Sequence, residues 1–189
     1  MSSKFDPQKH HRRSIRLPDY DYSQAGAYYI TIVTYQRALL FGQVINKEMQ
    51  LSGLGEIADE CWRAIPEHFP DVGLGAYVIM PNHVHGIIVI DNMQNRMATN
   101  SSPSAGARHA SPLPLRGVKP GSVGAIVGSF KSAVSKRIRH EFNITGIWQR
   151  NYYEHVIRNE RDLQNKTDYI EANPLLWDQD HGNPADIRP

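Results

Sequence analysis

Two histidines separated by one residue, His83-Val84-His85, have the types and spacing to do chemistry. On a β-strand alternate side chains share a face, so both imidazoles project together while Val84 faces the other side. Two neutral imidazoles side by side can ligate a divalent cation, with a third ligand supplied from elsewhere in the fold. The same spacing also suits two strand histidines engaged in ordinary hydrogen bonds. A zinc site is disfavoured, because Cys61 is the single cysteine and there is neither a Cys-x-x-Cys nor a His-Glu-x-x-His. A second candidate lies in Asp168-Tyr-Ile-Glu-Ala-Asn-Pro174. Positions four apart share a helix face, so Tyr169 and Asn173 project together. A tyrosine oxygen can displace an alcohol from a phosphodiester and keep the phosphate as a covalent ester. The free phenol, with a pKa of about 10, needs help, and a nearby cation would both favour the phenolate and polarise the phosphate. Alternatively, Tyr169 is a half-buried aromatic whose hydroxyl meets solvent.

The elements that must position these residues follow from local pattern. Residues 27–35, AYYITIVTY, are β-branched and aromatic and predict a strand. Leu54, Ile57, Ala58, Cys61, Trp62 and Ile65 recur with a helical period over 52–69, with Ser52 as N-cap and Pro66 and Pro70 closing the segment. Residues 75–80 and 83–90 are β-rich runs joined by Pro81-Asn82, which predicts an antiparallel hairpin. A helix is predicted over 123–142 on the stripe Ile126, Val127, Phe130, Val134 and Ile138. Residues 148–157 predict a strand, and Asn159 caps a last helix over 160–172 that stops at Asn173-Pro174. The order β-α-β-β-α-β-α suits an α+β domain with a ferredoxin-like central antiparallel sheet and helices on one face. Residues 91–120, dominated by Asn, Ser, Pro, Gly and Ala, are read as a mobile insertion. The expected organisation is a basic N-terminal arm (1–20), one domain (21–177) and a C-terminal tail (178–189).

Composition bounds the function less sharply. The chain has 189 residues, 40% of them hydrophobic and 21% charged, with a formal net charge of +2 and a pI near 8.7. That balance permits nucleic-acid binding without requiring it, since one basic face can hide in a near-neutral total. One cysteine excludes an internal disulfide and suits a reducing compartment. No apolar run approaches the roughly 20 residues of a membrane span, and Lys4, Lys9, Arg12, Arg13 and Arg16 have no apolar segment behind them to make a signal peptide. A cytoplasmic protein with no membrane partner is expected.

Five stretches together resemble a known family. They are Arg16-Leu-Pro-Asp-Tyr20, Tyr29-Ile-Thr-Ile-Val-Thr-Tyr35, Val78-Ile-Met-Pro-Asn-His-Val-His85, Ile147-Trp-Gln-Arg-Asn-Tyr-Tyr-Glu-His-Val-Ile-Arg158 and Asp168-Tyr-Ile-Glu-Ala-Asn-Pro174. In order and spacing they resemble the single-tyrosine HUH transposases of the insertion-sequence-200 type, most of all the branch associated with repetitive extragenic palindromes (REPs). The resemblance implies that His83 and His85 are metal ligands and Tyr169 the nucleophile. It places Asn173 where insertion-sequence members carry a glutamine that completes the metal site, here one methylene shorter. It further implies an HUH endonuclease palm, Mg²⁺ or Mn²⁺ as cofactor, and single-stranded or hairpin DNA with a REP-like palindrome as partner. Cleavage would run through a 5′-phosphotyrosine, in a monomer or a homodimer. Tyr152 and Tyr153 rank below Tyr169, and Tyr28, Tyr29 and Tyr35 are assigned to sheet packing. Glu154 and His155 are expected to face solvent, or alternatively to contact DNA or support the site's ligands. Lys131, Lys136, Arg137 and Arg139 on the 123–142 helix, Arg150 and Arg158 beside the strand, and Arg12, Arg13 and Arg16 in the arm are candidate phosphate contacts. The rival readings are a replication initiator or relaxase-type nicking enzyme, and a DNA-binding regulator without catalysis.

Overall fold

A computed structural model of the chain describes residues 20–91 and 119–179. The expected arm with Arg12, Arg13 and Arg16, nearly all of the 91–120 stretch, and the tail beyond residue 179 lie outside the described residues. Strand β1 (Gly26–Val33) leads into a short hairpin, β2 (Gly42–Ile45) and β3 (Glu48–Leu51). Helices α1 (Gly53–Arg63) and α2 (Ile65–His68) follow, then strands β4 (Val72–Met80) and β5 (His83–Ile90). Beyond the undescribed stretch come α3 (Val123–Phe142), β6 (Tyr153–Ile157), α4 (Glu160–Ala172) and a closing 3₁₀ turn, Pro174–Gln179. Strands β4, β5, β1 and β6 form an antiparallel sheet in that order, which is the ferredoxin-like arrangement expected.

Local chemistry sets the boundaries. The Ser52 hydroxyl accepts from the Gly55 amide, Ser122 from Ala125, and Asn159 Oδ1 from Asp162, so each long helix starts on a side-chain cap. Asn143 closes α3 in the left-handed conformation that asparagine tolerates. The helical run expected over 52–69 is broken at Ala64, because Pro66 lacks the N–H that would continue it. The β2–β3 hairpin had no counterpart in the sequence pattern. Its two strands have four residues each and are largely exposed, and its turn residues Asn46 and Lys47 both carry positive φ.

The sheet's two faces have different jobs. Tyr28, Ile30, Ile32, Val84 and Ile88 point to one side, where Ile57, Ala58 and Trp62 of α1 and Ile126, Phe130 and Val134 of α3 bury them in the main core. Tyr29 and Ile87 point to the other side and form a smaller cluster with Ile170 of α4. Helices α1 and α3 thus share one face as expected, and α4 lies against the opposite face. The sparse apolar content of α4 does not show this in sequence, because one buried isoleucine anchors it. Among the described residues no helix is long and apolar enough to cross a membrane.

Gly86 is the close approach that lets the main core form. A Cβ there would clash with the edge of the buried Trp62 ring. Gly86→Ala is therefore expected to destabilise the protein by about 1–3 kcal/mol through overpacking, read as a lowered urea midpoint.

Candidate active site

Strand β5 brings the two histidines to the α4 face, as period-2 alternation requires. His83 pairs with Val33 and His85 with Thr31 on β1, and their rings lie 4.4 Å apart, edge to face. Both are buried. His83 Nδ1 lies 2.7 Å from Asn82 Oδ1. An amide oxygen only accepts, so the Nδ1–H donates and Nε2 carries the lone pair, the tautomer that can ligate a metal. His85 Nδ1 lies 2.8 Å from the Tyr29 hydroxyl and 2.9 Å from Thr31 Oγ1. Burial first, then the neighbouring His83 and Lys166, hold the His85 imidazole well below its ordinary pKa, which favours the neutral ring.

Helix α4 brings the tyrosine. Its ring centre is 5.3 Å from that of His85 and 6.3 Å from that of Tyr29, and the side chain is 46% exposed, open to an incoming substrate. One turn on, Asn173 is 5% exposed, and its side-chain oxygen is buried without a hydrogen bond among the described residues. Two turns on, Trp177 lies 6.1 Å from His83, ring centre to ring centre. The end of α4 and the turn after it therefore run across both histidines, with Asn173 bracketed between Tyr169 and Trp177. Among the described residues no group of three or more His, Cys, Asp or Glu is placed to hold a metal ion. The donors on this face are instead two imidazoles and one amide oxygen. A buried amide oxygen left without a proton donor suits a cation, so these residues fit a divalent metal.

No family model matches the chain. It is 42% identical over 181 residues to an uncharacterized protein of Haemophilus influenzae, covering 95% of this chain and 97% of that one, and the two belong to one family. A candidate REP-associated tyrosine transposase from the same organism is 26% identical over 159 residues, 82% of this chain and 73% of the relative. A REP-associated tyrosine transposase of Escherichia coli is 38% identical over a shorter stretch of 42 residues, 22% of this chain and 26% of that one. The solved structure of a REP-associated tyrosine transposase bound to a REP hairpin shares the fold, with a TM-score of 0.53 and 18% identity over 84% of this chain and 73% of that one. In sequence, then, the chain is similar to REP-associated tyrosine transposases.

The remaining candidates divide by position. Tyr153 shares the histidine face, is 6.4 Å from Tyr29 and is exposed, whereas Tyr152 packs against the main core. Of the two, then, only Tyr153 is on the side of the site. Trp148 is a core anchor, its ring tilted against Phe41 and Phe130 and its Nε1 donating to the Lys131 carbonyl. Lys131 is occupied in turn, its amine 2.5 Å from the Gln149 carbonyl, and burial pushes its pKa down. Arg137 pairs with Glu60 and Glu141. Lys136 and Arg139 are exposed, but all four belong to α3, on the far side of the sheet from the histidines. By register Arg150 sits at the His83 end of β6 and Arg158 at the other, both exposed.

Sequence reasoning passed over four groups that the structure brings to this site. Tyr29, assigned to packing, has its hydroxyl on His85. Thr31 and Asn82 hold ring nitrogens, and Lys166 lies 5.0 Å from the centre of the Tyr29 ring. Alternation places Tyr29 and Thr31 on one face of β1, but only register with β5 makes His85 their partner. Tyr35 is exposed rather than packed. Glu154 is buried on the main-core side, opposite Ile30, because Tyr153 and His155 take the other face. His155 pairs with Asp162 at 2.9 Å, which lowers the Asp162 pKa.

The Asn82 amide can be tested directly. Asn82→Ala leaves the buried His83 Nδ1–H without its acceptor, an expected cost of about 1–3 kcal/mol in chemical denaturation. Nitrogen NMR should then show His83 as a mixture of tautomers, where the wild type shows the Nδ1–H form.

Proposed function

We propose that this chain is a metal-dependent, single-tyrosine DNA nuclease and strand transferase of the REP-associated kind. The observation that carries the reading is the meeting of Tyr169 with His85 at 5.3 Å, on a helix whose next turn presents the buried, unbonded oxygen of Asn173. In this reading His83, His85 and Asn173 hold the cation, Mg²⁺ or Mn²⁺, and the bound cation supplies charge that polarises the scissile phosphate. Tyr169 Oη attacks phosphorus. The Oη–P bond forms as the P–O3′ bond breaks, the phenolic proton is lost to solvent, and the departing oxygen takes up a proton as a free 3′ hydroxyl. The product is a 5′-phosphotyrosine. A 3′ hydroxyl attacking that ester reverses the bond changes and joins strands without an external energy source.

The substrate in this reading is single-stranded or hairpin DNA. The fold relative bound to a REP hairpin supports that form, and unpaired bases offer faces and edges that a duplex hides. The catalytic domain is residues 21–177. Arg150, Arg158 and the basic residues Arg12, Arg13 and Arg16 serve as phosphate contacts.

Cleavage of a hairpin-bearing oligonucleotide, with and without Mn²⁺, tests the reading. Wild type is expected to cut only with metal, and to cut the hairpin faster than a fully paired duplex of the same sequence. His83→Ala, His85→Ala and Tyr169→Phe should each lower the rate by at least about 10³-fold while remaining folded. Undiminished metal-dependent cutting by both histidine variants would remove the proposed site.

A further inference from the structure

Resting on that reading of the site, we propose that Lys166 is a substrate-contacting residue whose Nζ takes a non-bridging oxygen of the scissile phosphodiester. Residues three and four apart on a helix lie over one another, so Lys166 stands above both Tyr169 and Ile170. Ile170 is buried against the sheet, which turns this sector of α4 inward. Lys166 Nζ reaches to 5.0 Å from the centre of the Tyr29 ring. That ring stacks on His85 at 5.5 Å and meets Tyr169 edge-on at 6.3 Å. The amine and the phenol therefore flank one aromatic ring, beside the histidine pair.

Its charge meets the face of the Tyr29 ring and the field of Asp162 one turn back, with no described carboxylate in direct contact. Among the described residues Lys166 makes neither an ion pair nor a hydrogen bond, whereas Arg63, Lys119 and Arg137 each bind a carboxylate. The carboxylate one turn back, Asp162, is held by His155 and by the Arg158 amide, and Asp168 accepts from Gln164. A phosphodiester brings one negative charge into this face and gathers more as the fifth oxygen bonds. A cation already placed there stabilises that charge without reorganising. A lysine packed only on Tyr29 is the structural alternative, and the two differ in what charge removal does.

Lys166→Met keeps an unbranched, polarisable side chain over Tyr29 and deletes the charge. Binding of the hairpin-bearing oligonucleotide, followed by fluorescence anisotropy in EDTA across a salt series, does not need catalysis. In Lys166→Met the slope of log affinity against log salt is expected to fall in magnitude by about 0.7, the contribution of one phosphate on a single strand. Lys166→Arg should restore it, and a neutral methylphosphonate at the mapped cut position should erase the difference between wild type and Lys166→Met. In Mn²⁺ the cleavage rate of Lys166→Met should drop about 10²-fold. A wild-type salt slope in a folded Lys166→Met, or in Lys166→Gln should the methionine variant not fold, overturns the inference whatever the cleavage rate. A reduced slope in a protein whose wild type does not cleave DNA would sustain the phosphate contact and defeat the nuclease reading.

Discussion

The alternation of one strand, β5, couples the core of this protein to its site. His83 and His85 face α4, while Val84 and the bare backbone of Gly86 face the main core. Gly86 admits Trp62 against the strand, and Trp62 in turn meets Phe130 of α3 edge-on at 5.2 Å. Packing on one side thus fixes the height and tilt at which two imidazoles stand on the other. A shift of one residue in register would send both histidines into the main core and Val84 to the α4 face. Site geometry here is inherited from packing, which is why no loop is needed to aim the histidines.

On the site face the same economy recurs at smaller scale. One isoleucine, Ile170, docks α4, and the side chains around it on the helix then have fixed tasks. Tyr169 lies over His85 and is open to solvent, and Asn173 turns a buried oxygen inward. The hydroxyls of Tyr29 and Thr31 and the amide of Asn82 hold the Nδ1 side of each imidazole. Partners of this kind orient a ring and set its tautomer, and they make the pair more than two neighbouring histidines.

Much of this was legible in the residues. The start of α1 and the bounds of α4 follow from Ser52, Asn159 and the Asn173-Pro174 stop, because capping is local chemistry. The face shared by His83 and His85, and by Tyr169 and Asn173, follows from strand and helix periods. What stayed hidden depends on contacts distant in sequence. The face chosen by α4 rests on a single isoleucine, Tyr29 becomes a partner of His85 only through β1–β5 register, and Glu154 is buried because its neighbours on β6 are directed to the site. The β2–β3 hairpin was missed for a different reason. Four-residue, exposed strands have too little alternation to announce themselves.

The central claim is that Tyr169 is the group that joins to DNA. Wild-type protein incubated with a hairpin-bearing oligonucleotide and Mn²⁺, denatured, digested and analysed by mass spectrometry, tests it most directly. The account predicts one DNA-linked peptide, modified at Tyr169 and carrying the phosphate from the 5′ side of the cut. A linked peptide modified at Tyr152 or Tyr153, or cleavage with no linked peptide at all, would contradict it.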